Sequence, residues 1–487
     1  MGLGLLILVS VGKENIYLSA QPEITFFKIA YKRHSNFSIE PTPQYFKTIP
    51  DFGLKCTVNV AKNADLMGQT YLYIELPGIL SNNQKKFAWV KKIGLVLINF
   101  IEIEIGGTII DRHYGDWINI WNEILTGNGH RESYDKIIGN VKELYEYSNN
   151  KQTYKLYIPL SFWFCLDTGL SLPLVALLHH DIKINVEFND IEKCFNVSPN
   201  HYIQVTNNFC ILEPGEFFIQ EYQNEKNIGQ FIYFDELEQK IFYNKIKGKF
   251  KVPNNDNDNN LKIIGQKTNF DIFIKSNTIV VKDDNIFITK PSIIKSYLLI
   301  NYIYLDNFER YNFLNNSHQY LIPVIQNIPQ QIISSINSIY KVPFINPIKL
   351  IVWRAVLLSN IEINDFFNYS SYPIKNEKEY LILNNSLLIN SIKRMELESN
   401  QYYTNIQIYQ SKIMNKQFGL YYYSFCLNPI EINPSGTMNF SKIDDSYLQF
   451  KMNPIVNYQN PVQVKCYGIQ YNIFRISNGL GGIGFNV

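Results

Sequence analysis

Asp111, His113 and Asp116 fall within six residues and carry the side chains that a metal centre or an acid–base pair would use. A bound metal needs further ligands in fixed geometry, and three groups this close in sequence do not supply a complete shell. The structural alternative is that they position the corner where an extended run turns into a helix beside Trp117. His179-His180-Asp181 is a second candidate. Neighbouring strand residues point to opposite faces, so the two imidazoles do not readily share one ion. Glu102 and Glu104 share a strand face, as the paired carboxylates of a glycosidase can. The same alternation is expected of any solvated strand. GxSxG, Walker A and HExxH motifs are absent from the sequence. The expectation is therefore a chain with no catalytic residue, no metal site and no cofactor, and not an enzyme.

The elements that would carry these residues are mostly strands. Ile101, Ile103 and Ile105 alternate with Glu102 and Glu104, and Ile182, Ile184, Val186 and Phe188 alternate with Lys183, Asn185 and Glu187. Tyr467, Ile469, Tyr471 and Ile473 repeat the pattern near the C-terminus. Period two predicts strands with one face on a core and one face polar. Many short strands separated by Pro and Gly clusters are the pattern of sandwiches and jelly rolls. Helices are few. Asp116 can cap one whose apolar face is Trp117, Ile120, Trp121, Ile124 and Leu125. Asp306 and Glu309 have the spacing of a capping-box variant, opening a turn with Phe308 and Tyr311 as packing residues.

Bulk properties narrow the class. A chain of 487 residues can bury sizeable cores in several domains. Aromatic residues reach 15%, with 34 Tyr and 32 Phe, which favours half-buried pleated surfaces. The 45 basic and 43 acidic residues leave a net charge of +2, so specific nucleic-acid binding through a concentrated basic stripe is not expected. Cys56, Cys165, Cys194, Cys210, Cys426 and Cys466 include no CxxC pair, which argues against a zinc site or a disulfide scaffold.

Two segments differ from the rest. Gly2 to Val11 is apolar but too short to cross a bilayer, and without a preceding basic residue it makes a poor signal peptide. It is expected to be a packing arm. Residues 191–290 are more polar and contain the run Asn254-Asn255-Asp256-Asn257-Asp258-Asn259-Asn260, expected as an exposed, mobile loop tip on an insertion. Asn-x-Ser triplets at Asn36, Asn196, Asn315, Asn368, Asn384 and Asn439 are expected by chance in an Asn-rich chain.

Ser424 to Asp445 reads SFCLNPIEINPSGTMNFSKIDD, two proline turns without a nucleophile–base pair. Asn428-Pro429 ends an extended run. Asn433-Pro434-Ser435-Gly436 suits a type I turn, and Asn439-Phe440-Ser441 re-enters extended structure. The stretch closely resembles a signature near the C-terminus of the major capsid proteins of nucleocytoplasmic large DNA viruses. Similar likenesses recur in order along the chain. They include Phe26-Phe27, Asn36-Phe37, Gly106-Gly107, and Asp111 with Tyr114-Gly115-Asp116-Trp117. Pro159, Trp163, Pro173 and His180 follow, then Tyr304, Asp306, Arg310, Trp353 and, near the end, Arg475. Asn346 stands where the family often has His.

The resemblance implies an all-β chain of two consecutive antiparallel eight-stranded jelly rolls with few short helices. The expected division is an N-terminal arm at 1–21, a first jelly roll at 22–312 with its long insertion at about 191–290, and the connector and second jelly roll at 313–487. It further implies homotrimeric, pseudo-hexagonal capsomers that tile an icosahedral shell, in a virion assembled in the host cytoplasm. The implied partners are the chain itself, neighbouring capsomers, minor capsid and penton proteins, and an inner membrane reached by the arm. A paralogous minor capsid or glycan-binding decoration protein is the alternative.

Overall fold

Ile101, Ile103 and Ile105 are fully buried on a strand at Ile98–Ile105, as their spacing requires. That strand belongs to one of two jelly rolls in the computed structural model. The structure describes residues 3–81, 85–125, 127–222, 225–253, 261–276, 278, 280–282, 290–374, 377–394 and 399–485. The Asn-rich run 254–260 lies outside the described residues.

The first barrel is built from β1 (Phe37–Tyr45), β2 (Lys55–Asn59), β3 (Leu66–Leu76), β4 (Ile98–Ile105), β5 (Thr108–Tyr114), β6 (Tyr154–Pro159), β7 (Ile182–Phe188) and β8 (Lys295–Leu305). One sheet runs β1-β8-β3-β6 and the other β2-β7-β4-β5, all antiparallel. The second barrel uses β9 (His318–Ile333), β10 (Asn337–Lys341), β11 (Pro347–Leu357), β12 (Ile382–Ile389), β13 (Ile392–Lys393), β14 (Leu420–Ser424), β15 (Ser446–Met452) and β16 (Val462–Ser477). Its sheets run β9-β16-β11-β14 and β10-β15-β12-β13. Each strand of the second barrel thus occupies the place of the strand eight earlier in the first. A final strand, β17 (Leu480–Ile483), pairs back onto β16.

Each barrel closes over its own apolar layer. Leu72, Ile74, Ile101, Ile103, Ile184 and Val186 are among the core of the first, and Ile351, Trp353, Leu387, Leu448 and Val464 among that of the second. The strands at the contact between barrels are buried on both faces. On β11, Ile351 and Trp353 face the second core, while Leu350 and Val352 face the seam between barrels. The same is true of β16, where Cys466 faces the core and Tyr467 and Ile469 face the seam. The one-sided pattern expected of Tyr467 to Ile473 is therefore replaced by a two-sided one, because the first barrel covers the outer face.

Two expectations about polarity are corrected. Glu102 is buried rather than solvated, held by Lys55 at 3.0 Å, by Arg112 at 2.6 Å and by Asn185 at 3.1 Å. Burial alone would raise its carboxyl, but these hydrogen bonds outweigh it and keep it below the ordinary range. Phe308 and Tyr311, expected to pack, are exposed on the helix Asn307–Asn315, although Asp306 caps that helix by accepting the Glu309 N–H at 2.8 Å.

The long β7–β8 connection carries a fold of its own. A seven-stranded sheet, with strands from His201–Gln204 to Val281–Lys282, covers a separate core that includes Ile203, Phe218, Phe231, Tyr243 and Ile263. Ile191, Cys194 and Phe195 pack instead in the first barrel's core. The register of β1 on β8 fixes polarity: Tyr45 lies opposite Tyr297, near this insertion, and Phe37 opposite Leu305 at the far end. The chain before Phe37 and the insertion therefore leave opposite ends of the barrel. In that first segment Leu5, Leu6, Ile7, Leu8, Val9 and Val11 are exposed, so the expected packing arm does not pack on its own chain. Among the described residues no helix is long and apolar enough to cross a membrane.

Candidate functional site at the seam of the two barrels

Asp111, His113, Asp116, His179 and His180 lie at the contact between barrels, whereas Glu102 and Glu104 bind only residues of the first barrel. Gly115 opens the helix α1 (Gly115–Leu125) directly after β5. A Cβ there would lie 2.0 Å from the Leu95 carbonyl oxygen and 2.8 Å from that of Ile98, so only glycine admits this corner. The corner aims Trp117, Ile120, Trp121 and Ile124 into the seam, against Leu350, Val352, Leu420, Tyr422 and Tyr467 of the second barrel. The amphipathic spacing read from the sequence thus packs one barrel on the other.

Asp111 and His113 form a buried pair, with Nε2 of His113 2.8 Å from Oδ2 of Asp111. The other Asp111 oxygen accepts the N–H of Arg112 at 2.9 Å and, across the seam, that of Ile325 on β9 at 3.2 Å. The His113 ring stacks on Phe162 at 4.4 Å. Asp116 points away from this pair. It accepts from Arg354 Nη2 on β11 at 2.7 Å and from Lys465 Nζ on β16 at 3.1 Å. Burial by itself would raise the Asp116 carboxyl, but Lys465 and Arg354 outweigh it and hold it well below the usual carboxylate range. Arg354 is 5% exposed, and its guanidinium rests over the Tyr369 ring at 5.5 Å. The three ligand-type residues thus serve two separate contacts, and no group of three or more His, Cys, Asp or Glu side chains suited to a metal occurs among the described residues.

His180 is at the end of the barrel from which the N-terminal segment leaves. Its ring lies over Gly106, and Nδ1 is 3.0 Å from the Gly481 carbonyl oxygen of the C-terminal hairpin. His179 donates its N–H to Gly479 O at 3.0 Å, so the two histidines bind the second barrel's last turn. Gly107 at the same turn has open space around it. Trp163 is buried against Phe474 of β16 at 5.7 Å, and Pro173 pairs with Leu66. Arg310 reaches Asp65 at 3.0 Å and ties the helix capped by Asp306 to the first barrel, next to the half-buried Tyr304. Trp353 is buried in the second core and donates to Asn385 Oδ1 at 3.0 Å. Arg475 is exposed on β16.

The Ser424–Asp445 stretch braces its own barrel through Asn439 to Ser441 and reaches the seam and the first barrel through Ile430 and Ile432. Asn346 donates its N–H to Ser441 Oγ at 2.8 Å, and its carbonyl accepts from Phe440 at 3.1 Å. Instead of continuing extended, the chain turns into a short 3-10 helix at Phe440–Lys442, because Asn439 Oδ1 caps it by accepting the Ser441 N–H at 3.0 Å, and Phe440 packs edge-on against Phe344 and Phe425. The expected tight turn at Asn433–Gly436 is part of a wider loop. Asn428 N–H donates to Ser435 Oγ at 3.0 Å and Leu427 N–H to Ser435 O at 3.3 Å, with Pro429 buried and Pro434 and Gly436 exposed. Phe26 and Phe27, at the start of the family-like motifs, are 90% and 97% exposed, and Asn36 and Phe37 are exposed beside them.

No spacing in the sequence marks Arg354, Lys465 or Lys349 as seam residues. Arg354 and Lys349 stand as isolated cations in the apolar run Lys349-Leu350-Ile351-Val352-Trp353-Arg354-Ala355-Val356-Leu357, and that isolation was the available signal.

The family described as "Major capsid protein N-terminus" matches residues 25–224, and that described as "Large eukaryotic DNA virus major capsid protein" matches residues 309–482. The chain is 34% identical to "Probable capsid protein 4" of Acanthamoeba polyphaga mimivirus, with 99% of each covered. It is 28% identical to the "Major capsid protein" of Phaeocystis pouchetii virus, again with 99% of each covered. In fold it is similar to the chain in "PBCV-1 virus capsid, quasi-atomic model", with a TM-score of 0.65 at 20% identity, covering 95% of this chain and 100% of that one.

Proposed function

The chain belongs to the family of large eukaryotic DNA virus major capsid proteins, and from this we propose that three copies assemble into a pseudo-hexagonal capsomer that tiles an icosahedral shell. The observation that carries the reading is the repeated strand order of two barrels packed side by side in one chain. Three such pairs arranged about an axis present six similar walls, an outline suited to near-hexagonal packing. Contacts between different patches of neighbouring capsomers then extend the sheet, and closure needs a different unit at the vertices. The seam supports this use, since α1 and the Asp116–Arg354–Lys465 cluster hold the two barrels as one rigid block.

The division we propose is an arm at 1–21, a first jelly roll at 22–312 interrupted at about 191–290, and the connector with the second jelly roll at 313–487. Because the first segment and the insertion leave opposite barrel ends, one faces the inside of the shell if the other faces out. We assign the insertion to an outer tower and the apolar arm to the inner side, where an inner membrane or minor capsid protein would cover Leu5 to Val11. Penton proteins would complete the shell, and the host cytoplasm is the place of assembly in this reading. The family positions at Phe26 and Phe27 serve the same inner contact, and those from Gly106 to Arg475 serve architecture. The mass of the purified chain in solution tests the first step: three times 56.9 kDa supports the reading, and a monomer at all concentrations opposes it.

A second reading is favoured by one observation. Mimivirus supplies similar proteins named both "Capsid protein 1" and "Probable capsid protein 4", so one virus can hold several chains of this type. In that reading the chain is a minor capsid or glycan-binding decoration protein. Its copy number in the virion separates the two.

A further inference from the structure

A cavity of about 310 Å³ opens where the β6–β7 and β14–β15 connections meet the seam. Trp121 and Leu125 of α1, Leu160 and Leu166 after β6, and Ile430 and Ile432 of the signature loop form much of its apolar lining. Its size is at the small end for a ligand pocket, and its walls are largely apolar. One cation breaks that pattern. Lys349 lines the cavity, yet it is 2% exposed. Its ammonium lies 5.1 Å from the centre of the Tyr471 ring, and among the described residues it makes no ion pair or hydrogen bond.

The backbone places Lys349 there deliberately. Ile348 pairs with Gln470 and Leu350 with Ile469, so Lys349 is the extra residue of a β-bulge. The bulge breaks the alternation of β11: Ile348 faces the second core, whereas Lys349 and Leu350 both face the seam. Bulges re-aim a side chain in this way beside functional sites. A buried cation without an anion is unfavourable, and burial drives the Lys349 ammonium down to about 8. The nearby acidic side chain at the cavity wall, Glu431, is exposed and accepts from Asn428 Nδ2 at 3.1 Å.

We propose that this cavity binds a small apolar carboxylate, its hydrocarbon against Trp121, Leu125 and Ile430 and its carboxylate on the Lys349 ammonium. The ligand supplies the missing counter-charge and fills the gap between the barrels, joining the first barrel's β6–β7 connection to the signature loop. This inference does not depend on the capsomer reading.

Octanoate and octanol titrated calorimetrically into the full chain at neutral pH test it. The expected result is saturable binding of octanoate at one site, with octanol at least about tenfold weaker, as loss of one charge-assisted hydrogen bond predicts. Lys349→Met keeps the stem and removes the charge; it should bring octanoate down to the level of octanol. Ile430→Trp fills the cavity and should weaken both, and it carries the test if Lys349→Met does not fold. Equal octanoate affinity in either variant, equal affinity of the wild type for both ligands, or no saturable octanoate binding overturns the proposal.

Discussion

Asp116, on the helix that leaves the first barrel, and Arg354, on a central strand of the second, form a 2.7 Å ion pair inside the seam. Lys465 joins the same carboxylate oxygen at 3.1 Å. Three charged groups are largely desolvated here in a region otherwise filled by Trp117, Val356 and Tyr467. A buried pair adds little net stability over an apolar replacement, but removing one partner strands the other. The pair is made in the observed register between the barrels.

Asp116→Ala is therefore expected to lower stability by about 3–5 kcal/mol, because it leaves Arg354 and Lys465 buried without their anion. Replacing Asp116 and Arg354 together by Leu and Met should recover part of that loss. Denaturant unfolding of the single and double variants measures both; a double variant as unstable as the sum of its parts contradicts the clamp.

The same pair sets a pH dependence with a definite sign. The folded Asp116 carboxyl is held below its unfolded value of 3.8, so its contribution is fully present above that pH. It is lost as pH falls through the lower folded value. The stability difference between wild type and Asp116→Asn should be constant near neutrality and shrink in acid below about 3.8. A difference that is unchanged in acid would show that Asp116 is not held ionised by its neighbours.

Because the insertion has a core of its own, its removal should spare the barrels. Lys290 lies 3.9 Å from Glu192, so the two ends of the segment are close enough for a short linker. Replacing residues 199–291 by a few Gly and Ser residues is expected to leave the far-UV spectrum β-rich and the melting cooperative. Loss of cooperative melting would mean that the inserted sheet supports the first barrel.

Deleting residues 1–12 removes the exposed Leu5 to Val11 without touching either core. Soluble protein and its oligomer should persist, while shell assembly in infected cells fails. Normal shells built from the truncated chain would reject an inner contact for the arm.

Much of this architecture can be read from the sequence wherever a strand has one wet face. Ile182 to Phe188 alternates and becomes β7, and Ile101 to Ile105 becomes β4. The seam strands hide for the opposite reason. β11 is buried on both faces, so its pattern is a continuous apolar run in which Lys349 and Arg354 stand out only by charge. Asp116 was visible as a possible ligand, but its partners are 238 and 349 residues away and no local spacing announces them. The insertion looked like a polar excursion because a small sheet leaves most of its residues near solvent; its core uses scattered positions such as Phe218 and Tyr243. Phe308 and Tyr311 misled in the other direction, since aromatic spacing on a helix does not say whether anything covers it.

Imaging the purified chain by electron cryo-microscopy tests the central claim most directly. The account predicts a threefold particle with a pseudo-hexagonal base of six barrels and three protrusions on the face opposite the N-terminal arms. A particle with two barrels only, or an oligomer whose base lacks the six-walled outline, would contradict it.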